Sequence, residues 1–440
     1  MKHIQFFTTV IILMFLGNNI IAQDKERYTS IPDINFELAL RDRGCDNYGS
    51  PDGKVFTAKI EKITELRINN SNITDLTGIQ DFMALNKLIC DKNKLKSLDL
   101  SNNIALTVLS CEENELTSLN VLKNTELTRL DFADNKLTSL DLSKNNKLTT
   151  LNCYRNQLAS LDVSNNIALT DLLCFTNKLT TLDICKNINL IILGCSQNQL
   201  KTLDVSQNIN LKTLDCNDNE FTTLDLSKNT RLEFLRCSNN PFKNLDLTHN
   251  IVLNYLICTN TPLTDLDVSK NIYLNKIYVD KNKLTSLDTT HNINLTHLSC
   301  YENQLTSLNI CNTPLTELIC SYNSLTALDV SQNTALIEFG CSNNQLTNLD
   351  VSKNNALGLF DCSNNQLTNL DVSKNIALYT FHCKSNRLTS LNIKNGNNKN
   401  LRNLYAFFNP TLTCIQADSD ITPPFNWRKD GVASFSTNCK

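Results

Sequence analysis

Thirteen of the eighteen cysteines occupy one place in a repeating unit, from Cys90 to Cys383, most of them 21 residues apart. A thiol column in that pattern offers two chemistries, a ladder of disulfides or a ladder of metal thiolates. A metal site needs a second thiol or a histidine beside each cysteine at ligand spacing, and the sequence supplies neither. Disulfides between in-register side chains that run parallel would be strained. In other units the same slot holds Phe132, Val279 or Ala406. The slot therefore asks for a small or medium apolar group, and the thiols are expected to be buried and reduced.

Two further columns carry polar chemistry. Aspartate recurs nine residues after the cysteine, at Asp99, Asp141, Asp162 and nine later positions through Asp371, with Asn120, Asn309 and Asn392 replacing it in three units. The fragment D-V-S-x-N shares part of a calcium loop but lacks that loop's glycine and terminal glutamate. Its expected role is to accept backbone N–H bonds at a turn, which keeps the carboxylate ionised; calcium binding is the alternative. Asparagine recurs three residues after the cysteine, from Asn93 to Asn240; Thr261 interrupts the column and Asn282 resumes it. An inward amide there satisfies backbone groups where the chain turns.

Catalytic groups do not assemble. Of the five histidines, His3, His249, His291, His297 and His382, only His297 and His382 fall on the predicted strand face, four units apart. The chain has no glycine-rich phosphate loop, no H-E-x-x-H and no nucleophile elbow. No catalytic residue, metal ligand or cofactor is expected, and the chain is not read as an enzyme. Cys414 and Cys439 flank the C-terminal segment and are expected to form a disulfide; closing that loop of about 25 residues contributes about 3 kcal/mol in the chain-entropy account. Cys185 and Cys311 stand too many units apart to pair, and Cys45 is left free.

All of these columns belong to one repeat. Residues 341–354, CSNNQLTNLDVSKN, return letter for letter at 362–375. Units that start at Ile63, Leu85 and Leu106 and continue to Leu378 and Leu401 make 17 coils, and one unit reads LxxLxCxxNxLxxLDVSxNxx. Self-similarity at a fixed period marks a solenoid. The unit resembles the leucine-rich repeat, whose strand half is LxxLxLxxNxL, and the resemblance covers residues 63–412. The first coil, ITELRINNSNITDLTGIQDF, looks like internalin-type repeats. The whole set, with IPDINFELAL ahead of it and a cysteine in most coils, is similar to secreted leucine-rich-repeat proteins of Bacteroidetes-type bacteria. The resemblance implies a β-rich solenoid, a right-handed coil stack with a parallel β-sheet on one face and short strands or turns on the other.

Alternation sends the side chains at positions 4 and 6 of each coil inward and those at 3, 5 and 7 outward. Residues 23–62 do not repeat and are expected to cap the first coil, with a helix capped by Asp33 that buries Phe36, Ala39 and Leu40. Residues 413–440, with Trp427 packed inside, are expected to cap the last. Residues 1–22 have the parts of a secretory signal: Lys2, an apolar run at 10–16, and Ile20-Ile21-Ala22 before a cut at Gln23. That run is too short for a good membrane span. A net charge of −3 shows no basic excess, so neither nucleic acid nor membrane insertion is expected. The expected location is secreted or cell-surface.

Outward positions are mostly small or polar, but they change character over residues 234–301, at Phe234, Arg236, Tyr255, Ile257, Lys276, Tyr278, Asp280, His297 and Tyr301. Aromatics with arginine on adjacent coils match the composition of interface hot spots. A second group is Tyr154, Asp171, Leu173 and Phe175. The expected function is an exported, non-catalytic recognition protein that binds a protein or glycan through the strand face. The alternative is a structural or adhesive surface component acting by self-association. Oligomeric state is not legible in the sequence.

Overall fold

Each coil alternates a three-residue strand with a tight turn and an extended return, because the leucines at positions 1, 4, 11 and 14 must all face one interior. The structure, a computed structural model, describes residues 27–46, 49–419 and 423–439. The secretory signal expected at 1–22 lies outside the described residues. The chain divides into two compact units, Met1–Leu127 and Thr128–Lys440.

In the first unit, β1 (Tyr28–Ser30) pairs antiparallel with β2 (Lys54–Phe56), and between them runs helix α1 (Ile34–Arg41). A short helix α2 (Thr57–Ile60) leads into the coils. Asp33 caps α1 as expected: its Oδ1 accepts from Asn35 N at 2.8 Å and Phe36 N at 3.0 Å. Its Oδ2 accepts from the backbone and hydroxyl of Thr74, at 2.7 and 2.6 Å, which ties the helix to the first coil. Burial pushes the Asp33 carboxyl up, and these hydrogen bonds outweigh it and hold the pKa below the ordinary value. Phe36 and Leu40 are fully covered. Strands β3 (Glu65–Arg67), β4 (Lys87–Ile89) and β5 (Val108–Ser110) form an in-register parallel sheet.

In the second unit, fourteen three-residue strands, from Arg129–Asp131 to Asn403–Tyr405, and the two-residue strand Trp427–Arg428 form one parallel sheet among the described residues. The opposite face carries short strands in only some coils: Ser286–Asp288 beside Ser307–Asn309, and the series Asn369–Asp371, Ser390–Asn392, Cys414–Gln416 and Ser434–Ser436. The coil path therefore runs past residue 412. Cys414–Gln416 completes the last repeat, and residues 427–436 add a further turn. Trp427 is packed there, its indole N–H donating to Leu401 O at 2.8 Å. The Sγ atoms of Cys414 and Cys439 lie at bonding distance, with Cα atoms 5.8 Å apart.

The inward asparagines carry the turn. Asn156 Nδ2 donates to the carbonyls of Phe132, Cys153 and Tyr154 at 3.0–3.2 Å, and its Oδ1 accepts from Leu137 N at 3.0 Å. Where Thr261 interrupts the column, its hydroxyl donates to Asn282 Oδ1 at 2.6 Å and the chain of bonds continues. A second asparagine column stands at position 19. Asn208 is wholly buried and donates to Ile184 O and Asn187 O at 3.1 and 2.8 Å.

The turn also imposes a left-handed backbone. The eighth residue of all 17 coils has φ between 50° and 58°, and none of them is glycine. Asparagine and aspartate tolerate this region; Thr176, Tyr322 and Phe408 adopt it at a steric cost. The bend also turns small side chains at position 7 against their neighbours instead of outward: Ser238, Ser321 and Ser363 are buried, and Ser342 Oγ donates to Ser321 Oγ at 3.1 Å.

Candidate functional site

The columns that suggested chemistry are structural in their geometry. All thirteen column cysteines are buried and reduced. Cys216 Sγ donates to Arg236 O of the next coil at 3.3 Å. Burial pushes the Cys153, Cys341 and Cys362 thiols well above the ordinary value and Cys174 to about 12, which disfavours a thiolate there near neutral pH. Asp99, Asp162, Asp246, Asp350 and Asp371 each accept the N–H two residues on, at 2.8–2.9 Å. That hydrogen bond leads the causes that hold Asp350 below the ordinary carboxyl range. Among the described residues, no group of three or more His, Cys, Asp or Glu side chains is placed to hold a metal ion.

The strand-face residues singled out over 234–301 come together. In-register pairing sets Phe234, Tyr255, Lys276 and His297 in one row and Arg236, Ile257 and Tyr278 in the next. The Phe234 and Tyr255 rings stack at 4.6 Å, and Tyr255 meets Tyr278 at 5.9 Å. Arg236 lies 5.2 Å over the Phe234 ring and 3.7 Å from Asp215 Oδ2. His297 Nδ1 is 2.7 Å from Thr296 Oγ1, and its Nε2 is 3.8 Å from Glu317 Oε2. Burial raises the Tyr278 hydroxyl pKa, with Glu317 next among the causes.

Asp280 has a different character from its neighbours. Its Oδ1 accepts from Ser299 Oγ at 2.5 Å and from Tyr301 N at 2.8 Å. Burial raises its pKa against those bonds. The carboxylate braces two adjacent coils and so positions Tyr301.

Tyr322 was missing from the sequence reading, which weighed positions 3, 5 and 7. It stands at position 8, 49% exposed, with φ 58° and its ring 5.2 Å from Tyr301. With it, the aromatics cross the sheet diagonally over five consecutive coils: position 3 at Phe234 and Tyr255, 5 at Tyr278, 7 at Tyr301 and 8 at Tyr322. Elsewhere on the face, Tyr154 and Phe175 stack at 4.4 Å, and Leu173 lies over Gly194, where a Cβ would meet its Cδ2 at 3.0 Å. A further cluster, also unread from the sequence, stacks His382 on Tyr405 at 4.4 Å with Phe407 and Phe408 beside them. No helix of the described residues is long and apolar enough to cross a membrane.

No protein-family model matches the chain, and no curated protein does. Solved structures do. The leucine-rich-repeat protein of Leptospira interrogans is 20% identical over 85% of this chain and 97% of its own, with a TM-score of 0.65. The plant peptide hormone receptor RGFR1, solved in complex with RGF2, is 18% identical over 82% and 77%, with a TM-score of 0.60. At those identities the likeness is one of fold. The functional domain of InlJ from Listeria monocytogenes, which includes a cysteine ladder, is 38% identical over 79% of this chain and 78% of its own, with a TM-score of 0.73. A parallel-sheet solenoid of 21-residue coils with a buried cysteine column, together with that identity, places the chain in the internalin-like leucine-rich-repeat family.

Proposed function

We propose that the chain is an exported, non-catalytic recognition protein that binds a protein partner through the aromatic diagonal of its strand face. One observation carries the reading: rings from five consecutive coils cross the sheet in a line, while most other outward positions hold small or polar side chains. Aromatics on a rigid sheet supply contact area at little cost in conformational freedom, and Arg236 and His297 add directional donors. A solenoid of the same fold, RGFR1, is solved in complex with RGF2, and a protein partner is proposed over a glycan. Export rests on the sequence of residues 1–22, and the Cys414–Cys439 pairing fits an oxidising compartment.

The test uses residues 23–440 as bait in surface extracts. The expected result is capture of a protein partner, lost on Tyr255→Ala with Tyr278→Ala at an unchanged melting temperature. Equal capture by the double variant would overturn the assignment. Capture abolished by glycosidase treatment of the partner would assign the face to a glycan.

A further inference from the structure

One edge of the second unit carries an apolar row that the proposed function does not use. Position 20 of each coil, just before the strand, holds Ile167, Ile188 and Ile209 on three consecutive coils, Thr230 on the next, and Ile251, Ile272 and Ile293 on the three after that. These isoleucines are between 44% and 60% exposed. Six further coil steps at about 4.8 Å make the row about 29 Å long. Asn146 and Pro314 end it on either side.

Half of the row is braced through its backbone. Asn189, Asn210 and Asn294 donate their side-chain N–H to the carbonyls of Ile167, Ile188 and Ile272 on the preceding coil, at 3.1–3.3 Å. These three carbonyls are satisfied, so the edge is poorly suited to adding a strand there; what it presents is side chains. The rim is acidic. Aspartate stands at position 15 in all seven coils, from Asp162 to Asp288, and a lysine follows three residues later in only three of them, at Lys186, Lys228 and Lys270. The N–H two residues on, and then the lysine, hold Asp183, Asp225 and Asp267 below the ordinary carboxyl value. An anionic lipid surface finds no net positive charge there to attract it.

We propose that this edge is a self-docking seam and that its occupant is a second copy of the chain, in antiparallel orientation. The order three isoleucines, threonine, three isoleucines reads the same in both directions at one constant spacing. A two-fold axis through Thr230 therefore places every isoleucine of one copy against an isoleucine of the other, with Ile167 on Ile293 and Ile209 on Ile251. That is the self-complementarity an isologous interface requires. A row one side chain wide buries well under the 1,600 Å² or so of a standard complex, so the pair is weak and reversible. The seam is separate from the strand-face site, and its failure would leave that reading untouched.

Sedimentation equilibrium of residues 23–440 tests it, from micromolar concentrations up to about 200 µM, the range a small interface needs. The expected result is a mass that rises from one chain toward two and does not fall as salt is raised, since salt screens the two acidic rims from each other. The variant Ile188→Glu with Ile272→Glu stays monomeric at every concentration and melts at the wild-type temperature. In a Cys185→Ser background, Thr230→Cys forms a disulfide-linked dimer on mild oxidation. Thr334→Cys, exposed in the same column beyond the row, gives at least tenfold less at the same concentrations, since only a residue on the axis meets its own copy. A wild type that is monomeric throughout overturns the proposal. So does a glutamate variant that associates as well as wild type, equal cross-linking at Thr334, or vesicle binding that the glutamates abolish without any change in mass.

Discussion

The coils at residues 336–375 and those at 232–323 use the same backbone and differ in what they show to solvent. Both keep the left-handed eighth residue and the aspartate turn. In the first region the repeat is perfect, and Ser342 and Ser363 at position 7 are covered by their neighbours. In the second, Thr261 replaces the inward asparagine, Val279 replaces the cysteine, and aromatics fill the outward rows. The perfect copy turns its small polar groups inward and leaves little for a partner. The departing coils give up part of that regularity, and the stacked rings stand where they do so. Repetition in this molecule marks the groups that hold the coil, and departure marks the surface available for recognition.

The largest test of this contrast is alkaline. Cys341 and Cys362 in the perfect repeat are raised well above the ordinary thiol value of 9.0 by burial, as is Cys174, to about 12. A neutral buried thiol contributes stability that is fully present below the unfolded pKa. That stability is lost as pH rises toward the folded value, because the unfolded chain releases protons first. Each such thiol contributes about 1.4 kcal/mol per pH unit across that window. Thermal melts should therefore fall steeply above about pH 9, and Cys341→Val with Cys362→Val, which imitates Val279, should flatten the fall. An identical pH profile for wild type and variant would show that the thiols are not protected by the fold.

Next in size is the inward amide. Asn344 donates to the carbonyls of Cys320, Cys341 and Ser342 and accepts from Leu325 N. Asn344→Thr keeps one hydroxyl and strands the rest, at a cost of about 3 kcal/mol in denaturant unfolding. The reverse change, Thr261→Asn, should recover part of that stability in the departing region. If both changes are neutral, the asparagine column is not what closes the turns.

Much of this was legible before any coordinates. A period of 21 with leucine, cysteine and asparagine at fixed places dictates a solenoid, since no other arrangement buries so many equivalent leucines. The inward slot for Cys153 or Cys300 followed from Phe132 and Val279 standing in the same place. Asp33 and its helix were readable from capping chemistry. Tyr322 was not, because its outward direction comes from the left-handed turn after the strand, and strand alternation says nothing about a residue in αL. The isoleucine edge escaped for a related reason. Ile188 and Ile272 lie in the return segment, where the sequence shows an apolar residue beside buried ones and only packing reveals which of them faces out. The burial of Ser238 failed by the same bend, which begins one residue earlier than a straight strand would allow.

A smaller effect separates the turn role of the aspartates from ion binding. Asp350 accepts Ser352 N at 2.8 Å. Asp350→Ala should cost about 1 kcal/mol. Asp350→Asn, which keeps the acceptor, should melt close to wild type near neutral pH. The lowered pKa adds a sign: the carboxylate's contribution is present above its ordinary value of 3.8 and is lost as pH falls through the folded value, so the Asn variant should be less sensitive to acid. A melting temperature that drops on adding a chelator, and no further in Asp350→Asn, would instead assign the column to a cation.

The finest test lies at Tyr322, where the two regions meet in one residue. Position 8 is left-handed in every coil, and the perfect repeat fills it with Asn343 and Asn364, whose short amides suit that conformation. The departing region places an exposed aromatic there, with φ 58° and its ring against Tyr301. Tyr322→Asn therefore restores the residue the turn prefers and should raise stability by about 0.5 kcal/mol. The same change removes the last ring of the diagonal, so affinity for a partner captured by the strand face should fall. The two readouts must move in opposite directions, because a residue kept for packing would lose both together. A variant that is more stable and binds equally well would end the diagonal at Tyr301; one that is less stable would mean that the Tyr301 contact outweighs the backbone strain.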